Sequence, residues 1–373
     1  MIYLVSGSGA PNYGDELILA MWIRLIQNSR STEDLVVDTH IPANTHRCHD
    51  LSGPLTVTDD VWQLAKKISE NLDFWGAFEI GLEFFGKGYY KKYAKTNFVS
   101  TAEKISIFHV HGGGFISTRN AKSGFLLGLA ESLKRTFSTR IYGTGLGIEP
   151  FDLPPEKHKA IRGLIDAFSV FECRDSVSAK KLNQAYGNEN HVPYGLDDNY
   201  LEKLKIHPSA LSAREPALHL SFSWPLPGGC DEKFFGAVNR MRDQYPNVII
   251  WQSYPWKERE TIIRLVRHLG HVQVFSTEEL VKAGAPVRRG DFMLTTKFHP
   301  HFVAARLGAS GNYISNSLYY NIKHESISVL GSPFFRFENQ IIVPENASVP
   351  ARIVEEESAQ INRKQEIARS IYG

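Results

Sequence analysis

The chain is short of cysteine and almost without net charge, and each shortage excludes something. Cys48, Cys173 and Cys230 are the three cysteines of 373 residues, an odd and sparse set that argues against a disulfide framework and fits a reducing compartment. No CxxC pair suggests structural zinc, and the 14 histidines are scattered without HExxH spacing. Net charge is +2, so no global basic field points to nucleic acid. No run approaches the ~18 apolar residues that cross a bilayer. Met1-Ile2-Tyr3-Leu4-Val5-Ser6-Gly7 lacks a basic leader and reads as a strand rather than a signal peptide. A cytoplasmic location is expected by default. The phosphate loop GxxxxGK[ST] is absent, and no acidic partner follows a GxGxxG at the right distance, so NAD and ATP rank low. No carboxylate cluster offers to hold a metal, and neither a metal nor a cofactor is expected.

What is present is an alternation. A length of 373 residues predicts two domains, since one domain usually takes ~100–200. Apolar runs at 2–5, 35–37, 105–110, 140–143 and 167–172 read as strands, with helices at 16–26, 125–136 and 156–166 between them. The pattern restarts at 217–221 and 247–251, continues through a helix at 258–269, and ends with strands at 272–275, 291–295 and 311–315. Such alternation predicts parallel, doubly wound sheets. The fold class expected is α/β, with two Rossmann-like domains facing a cleft. Residues 1–205 form the first domain and 206–349 the second, with two prolines in the linker 206–216 and a C-terminal helix at 350–373 returning to the first domain.

Most of the chemistry-bearing residues follow apolar runs. Leu294-Thr295-Thr296-Lys297-Phe298-His299-Pro300-His301 ends one such run, and Lys323 lies downstream. At the carboxyl end of a parallel strand this cluster suits a small, highly charged anion, and a histidine offers a proton near neutral pH. His299 alone would read as a satisfied helix cap; with Lys297, His301 and Lys323 nearby the balance moves toward function, although Lys323 also fits a solvated loop. Three glycine-rich turns follow strands, at Ser6-Gly7-Ser8-Gly9, Gly112-Gly113-Gly114 and Gly143-Thr144-Gly145-Leu146-Gly147. Each permits close backbone approach to a ligand, and each equally serves turn geometry alone. In Arg174-Asp175-Ser176, Asp175 or Ser176 caps a helix while Arg174 points into the crevice or pairs with a neighbouring acid. Asp15 orients a substrate or caps the first helix.

Two further stretches carry two readings. Segment 74–98 interleaves nine aromatic residues with Lys87, Lys91, Lys92 and Lys95. It reads as an aromatic helix pair packed on the sheet, with peripheral membrane association near anionic lipid as the second reading. Trp224, Tyr254 and Trp256 offer faces on which a sugar stacks, or core packing.

Taken together the turns resemble the polysaccharide pyruvyl transferase family. Asn12-Tyr13-Gly14-Asp15-Glu16 resembles its N-x-GDE opening. His111-Gly112-Gly113-Gly114, Gly145-Leu146-Gly147-Ile148-Glu149-Pro150 and Arg174-Asp175-Ser176-Val177-Ser178 fall in its order. Lys297-Phe298-His299 stands where the family has Arg-Leu-His, and Lys323 at its downstream lysine. The resemblance implies a GT-B-like fold and transfer of pyruvate from phosphoenolpyruvate to a hexose of a cell-surface glycan or lipid-linked oligosaccharide, giving a cyclic ketal. It carries the donor site onto Arg174, Lys297, His299 and Lys323. His299 then acts as acid and Arg174 steadies the leaving phosphate, with Asn12, Asp15, Gly113, Gly114, Gly145 and His301 beside them. Lysine at 297 keeps the charge of the family's arginine and loses its fork. Two rivals stand: a GT-B glycosyltransferase using a nucleotide sugar, and a catalytically silent glycan-binding homologue.

Overall fold

The computed structural model describes residues 1–30, 32–212, 214–223, 231–315, 317–337, 342 and 351–373. Within it, the apolar runs flanked by turns become two fully parallel sheets. The first holds β1 (Ile2–Ser6), β2 (Leu35–Asp38), β3 (Leu55–Thr58), β4 (Ile107–His111), β5 (Arg140–Leu146) and β6 (Val170–Cys173), ordered β3-β2-β1-β4-β5-β6. The second holds β7 (Ala217–Ser221), β8 (Asn247–Trp251), β9 (Gln273–Phe275), β10 (Phe292–Thr295), β11 (Ser310–Tyr313) and β12 (Phe334–Arg336), ordered β12-β11-β10-β7-β8-β9. Counted from its own first strand, each sheet has the order 3-2-1-4-5-6, the doubly wound Rossmann arrangement. The chain direction therefore reverses between β1 and β4 in one sheet and between β7 and β10 in the other. Beyond the carboxyl ends of those strands lie the two crevices where such folds bind ligands.

β1, β4, β7 and β10 are buried along their whole length, as strands covered on both faces must be. Two hydrophobic clusters each serve one domain. A third runs from Ile2, Trp22 and Ile107 to Trp251, Phe302 and Tyr372 and joins the two sheets. The C-terminal helix Glu357–Tyr372 returns to the first domain, where the Tyr372 hydroxyl meets Nδ1 of His109 at 2.8 Å.

Segment 74–98 packs inward. Phe74, Phe78, Phe84, Phe85 and Phe98 are buried, and helix Phe74–Leu82 crosses helix Ala121–Phe137 closely. A Cβ at Gly124 would lie 2.1 Å from the Phe74 carbonyl oxygen, so glycine is what lets the two backbones meet. Tyr89 is exposed, as are Lys87, Lys91, Lys92 and Lys95. Five of the nine rings are thus spent on the core. Among the described residues, no helix is long and apolar enough to cross a membrane. Cys48 and Cys173 are free and buried; Cys230 and Trp224 lie outside the described residues.

Candidate functional site

A cavity of about 320 Å³ lies between the two sheets, walled by the ends of the switch-point strands. Gly7, Asn12 and Asp15 follow β1, and Gly114 and Phe115 follow β4. Arg174 follows β6, Ser223 follows β7, and Lys297 and His299 follow β10. Tyr254 and Lys257, with Tyr319, Tyr320 and Lys323, close the remaining sides.

Helix geometry decides which of the expected residues arrive. Helix Tyr13–Ser29 begins earlier than its apolar spacing suggests, and Asn12, not Asp15, is its N-cap residue. Asn12 turns its amide to Asp15 Oδ2 at 2.8 Å instead of capping. Glu16, wholly buried, holds the turn from inside by accepting from the Gly9 amide at 2.7 Å and meeting His49 Nε2 at 2.8 Å. Helix Pro255–Leu269 starts behind Tyr254 and helix Phe298–Arg306 behind Lys297, again with no side-chain cap. Three N-cap residues of long helices, Asn12, Tyr254 and Lys297, therefore line the cavity, where the positive ends of the helix dipoles favour an anion.

The side chains add charge of the same sign. Arg174 is only 5% exposed, yet Asp175 and Asp197 lie 3.9 and 3.8 Å away, beyond hydrogen-bond reach, and Nη1 has no partner. Its guanidinium rests over Phe298, 4.9 Å from the ring centre. Lys323 stands on helix Leu318–Val329, one turn beyond Tyr319, with Nζ 3.9 Å from that ring's centre. Burial, and then the nearby Arg174, push its ammonium well below the ordinary lysine range. Lys297 differs: its Nζ lies 3.1 Å from Glu258 Oε1, and Glu258, fully buried, also accepts from Ser253 Oγ and the Tyr254 amide. Lys257 reaches over Tyr254 at 5.1 Å. His40, also on the wall, is kept neutral, because burial and Lys122 press its imidazole down to about 4.

The acid–base residues meet where the domains touch. The Tyr13 amide donates to the Ser253 carbonyl at 2.8 Å, drawing the first helix against the second domain. His299 then packs so tightly on Gly14 that an added Cβ would lie 1.6 Å from Nδ1. Its Nε2 faces Asp197 Oδ2 at 3.7 Å. Burial would raise the Asp197 carboxyl, but His299 and Arg174 outweigh it and hold it well below the carboxylate range. Asp15 moves the other way: burial raises it against the pull of His299.

Of the residues expected from sequence, Asn12, Asp15, Gly114, Arg174, Lys297, His299 and Lys323 share this cavity. Three do not line it. His301 is a correction: it is fully buried between His324 Nδ1 at 2.9 Å and Ser332 Oγ at 2.8 Å. Residues two apart on a helix point roughly 200° apart, so 299 and 301 cannot face one cavity. Gly145 is a turn residue at φ +58, its amide donating to Glu172 Oε1 at 3.1 Å and its Cα facing Asp198. Gly113, at φ +84, accepts from the Gly147 amide at 3.1 Å and backs the wall near Asp15. The sequence motifs do not single out Glu258, Tyr319 or Asp197. Tyr319 was findable, four residues before Lys323 on one helix face, whereas nothing in Leu196-Asp197-Asp198 marks it. Among the described residues, no group of three His, Cys, Asp or Glu side chains is placed to hold a metal ion.

No protein-family model and no curated relative matches the sequence. Solved structures match it along its whole length. A UDP-N-acetylglucosamine 2-epimerase candidate from Listeria monocytogenes is 10% identical, with TM-score 0.55 over 100% of this chain and 92% of that one. The UDP-GlcNAc 2-epimerase of Neisseria meningitidis, bound to UDP-GlcNAc, is 11% identical at TM-score 0.53, covering 99% and 98%. That of Methanocaldococcus jannaschii, in complex with UDP-GlcNAc and UDP, is 12% identical at TM-score 0.50, covering 100% and 99%. The fold is GT-B-like. These matches correct the expectation drawn from the short motifs: the structures this chain resembles are of nucleotide-sugar epimerases, not pyruvyl transferases. Phosphoenolpyruvate as donor, and ketal formation with it, are therefore given up.

Proposed function

We propose that the chain is an enzyme of sugar metabolism that binds a nucleoside-diphosphate sugar in the cleft and transfers its glycosyl group to a glycan hydroxyl. One observation carries this reading: Arg174, Lys323, Lys257 and three helix starts converge on one cavity at both switch points. A pyrophosphate spans such a site with its negative charge shared by the non-bridging oxygens of both phosphates, and a doubly wound sheet presents its helix starts to it. The likeness to epimerases solved with UDP-GlcNAc supports the fold and makes uridine the first nucleotide to test.

The chain's own residues supply the chemistry. The bond from the anomeric carbon to the β-phosphoryl oxygen breaks, and its electron pair leaves with the diphosphate. Arg174 and Lys323 stabilise that charge in a site screened from water. An acceptor hydroxyl bonds to the anomeric carbon and gives its proton to His299. Asp15, beside it, orients the sugar.

Titration calorimetry with UDP, UDP-GlcNAc and the other nucleoside diphosphates tests this directly. Saturable binding of at least one is expected, abolished in Arg174→Met, with nucleoside diphosphate released when a glycan acceptor is added. If no nucleoside diphosphate binds the folded protein, the reading is wrong.

A further inference from the structure

Three buried polar atoms converge behind the cavity wall, and none has a hydrogen-bond partner. They are Arg174 Nη1, His299 Nε2 and Asp197 Oδ2. Asp197 Oδ2 lies 3.8 Å from the first and 3.7 Å from the second. Orphaned buried groups are costly, and active-site bonds that are long without ligand commonly tighten in the complex. The carboxylate is otherwise fixed. Its Oδ1 accepts from the Asn199 amide at 2.9 Å and from Asn199 Nδ2 at 2.8 Å, so Oδ2 cannot turn elsewhere.

The backbone before it is strained. Leu196 is buried and has φ +74, a left-handed conformation rare for a bulky side chain. Lys364 of the C-terminal helix secures that carbonyl at 3.0 Å. Strain of this kind persists where surrounding structure over-determines it, and clusters at functional sites.

We propose that Asp197 is a positioning residue: its Oδ2 accepts a hydrogen bond from Nε2–H of His299, fixes that tautomer, and leaves Nδ1 as the proton acceptor. The chemistry of the three atoms selects it. A carboxylate oxygen only accepts, and Arg174 only donates. The opposite tautomer would set the Nε2 lone pair against the Oδ2 lone pairs and leave both buried without a proton between them. With the proton on Nε2, Nδ1 is the free base; it packs over Gly14, on a ring that lines the cavity. When the acceptor hydroxyl gives up its proton, Nδ1 takes it, and the imidazolium is held between Asp197 and the leaving charge. Asp197 stays ionised throughout. The catalytic consequence rests on the glycosyl-transfer reading; the tautomer does not.

The test is nitrogen-15 NMR of the full chain labelled at histidine, with no substrate present. His299→Gln identifies the His299 signals. The neutral ring is expected to show a pyridine-type Nδ1 and a pyrrole-type Nε2. Asp197→Asn keeps both contacts to Asn199 through Oδ1 and presents an amide N–H to Nε2, so the pattern should invert. A pyrrole-type Nδ1 in the wild type overturns the proposal, and so does a pattern unchanged in Asp197→Asn. If that variant does not fold, the wild-type spectrum alone decides. Failure of every nucleoside diphosphate to bind would leave this result standing, so the two readings fail separately.

Discussion

Lys323 carries the cost of the cleft in a single side chain. Its ammonium makes no ion pair among the described residues, and it has only the faces of Tyr319 and Tyr320 beneath it. Burial, then Arg174, push it well below the ordinary lysine range, against the weaker pull of Asp15. The sign follows. Between that depressed value and the ordinary ~10.4, free Lys323 is short of a proton that a model lysine would hold. A bound diphosphate favours the charged form and restores it. Binding should therefore take up a proton in that window, and affinity should fall as pH rises through it. Calorimetry of UDP binding in buffers of different ionisation enthalpy reads the proton directly. Lys323→Arg, always charged, should abolish the uptake and keep binding. Lys323→Met should lose about 1.5–3 kcal/mol of affinity. Proton-neutral binding in the wild type at every pH would remove Lys323 from the anion site.

Among the elements, the C-terminal helix does more than cover the sheet. Lys364 is wholly buried and forms ion pairs with Glu172 and with Asp198, the latter at 2.6 Å. Burial would strip its proton; the two carboxylates outweigh that and hold the ammonium above its usual range. Asp198 Oδ2 in turn accepts from Trp22 Nε1 at 2.9 Å and from the Thr144 hydroxyl at 3.0 Å. Lys364→Met would leave two buried carboxylates facing each other, and should cost about 3–5 kcal/mol in urea unfolding. Glu172→Gln in the same chain should recover part of it, whereas additive losses would show that the three do not act together. The sequence places this helix on the first domain, but nothing in it sets Lys364 apart from the other basic residues of the helix. The same division runs through the fold. Strands β1, β8 and β10 were legible because buried strands of a parallel sheet read as continuous apolar runs. β3 and β12 were not: Leu55–Thr58 alternates at a half-exposed edge, and Phe334–Arg336 spans three residues. At the site, residues at strand ends were legible because turns mark them. Glu258 meets Lys297, and Asp197 meets Arg174 and His299, only through the fold, which periodicity cannot show.

At the scale of the whole molecule, the two domains are held so that the helix bearing His299 belongs to both. It starts at the cavity with Lys297 and ends at Arg306, whose side chain is 2% exposed. Arg306 reaches into the first domain. It donates to the carbonyls of Asn199 and Glu202, pairs with Glu357 at 2.8 Å, and lies over Tyr200 at 4.3 Å. One hydrophobic cluster continues through this contact from sheet to sheet. Shared core and a buried arginine predict that the domains unfold together. Scanning calorimetry of the wild type should show one transition. Arg306→Ala leaves two carbonyls and a carboxylate without their donor and should cost about 3–5 kcal/mol. It should split the melt, with one domain unfolding at a lower temperature than the other. It should also weaken nucleoside-diphosphate binding without touching the cavity, because His299 and the helix start at Lys297 would lose their fixed place opposite Arg174. A ligand that binds only the docked form would then raise the lower transition more than the upper. Two transitions already in the wild type, or one unshifted transition in Arg306→Ala, would mean that the cleft is set within each domain and not by their contact.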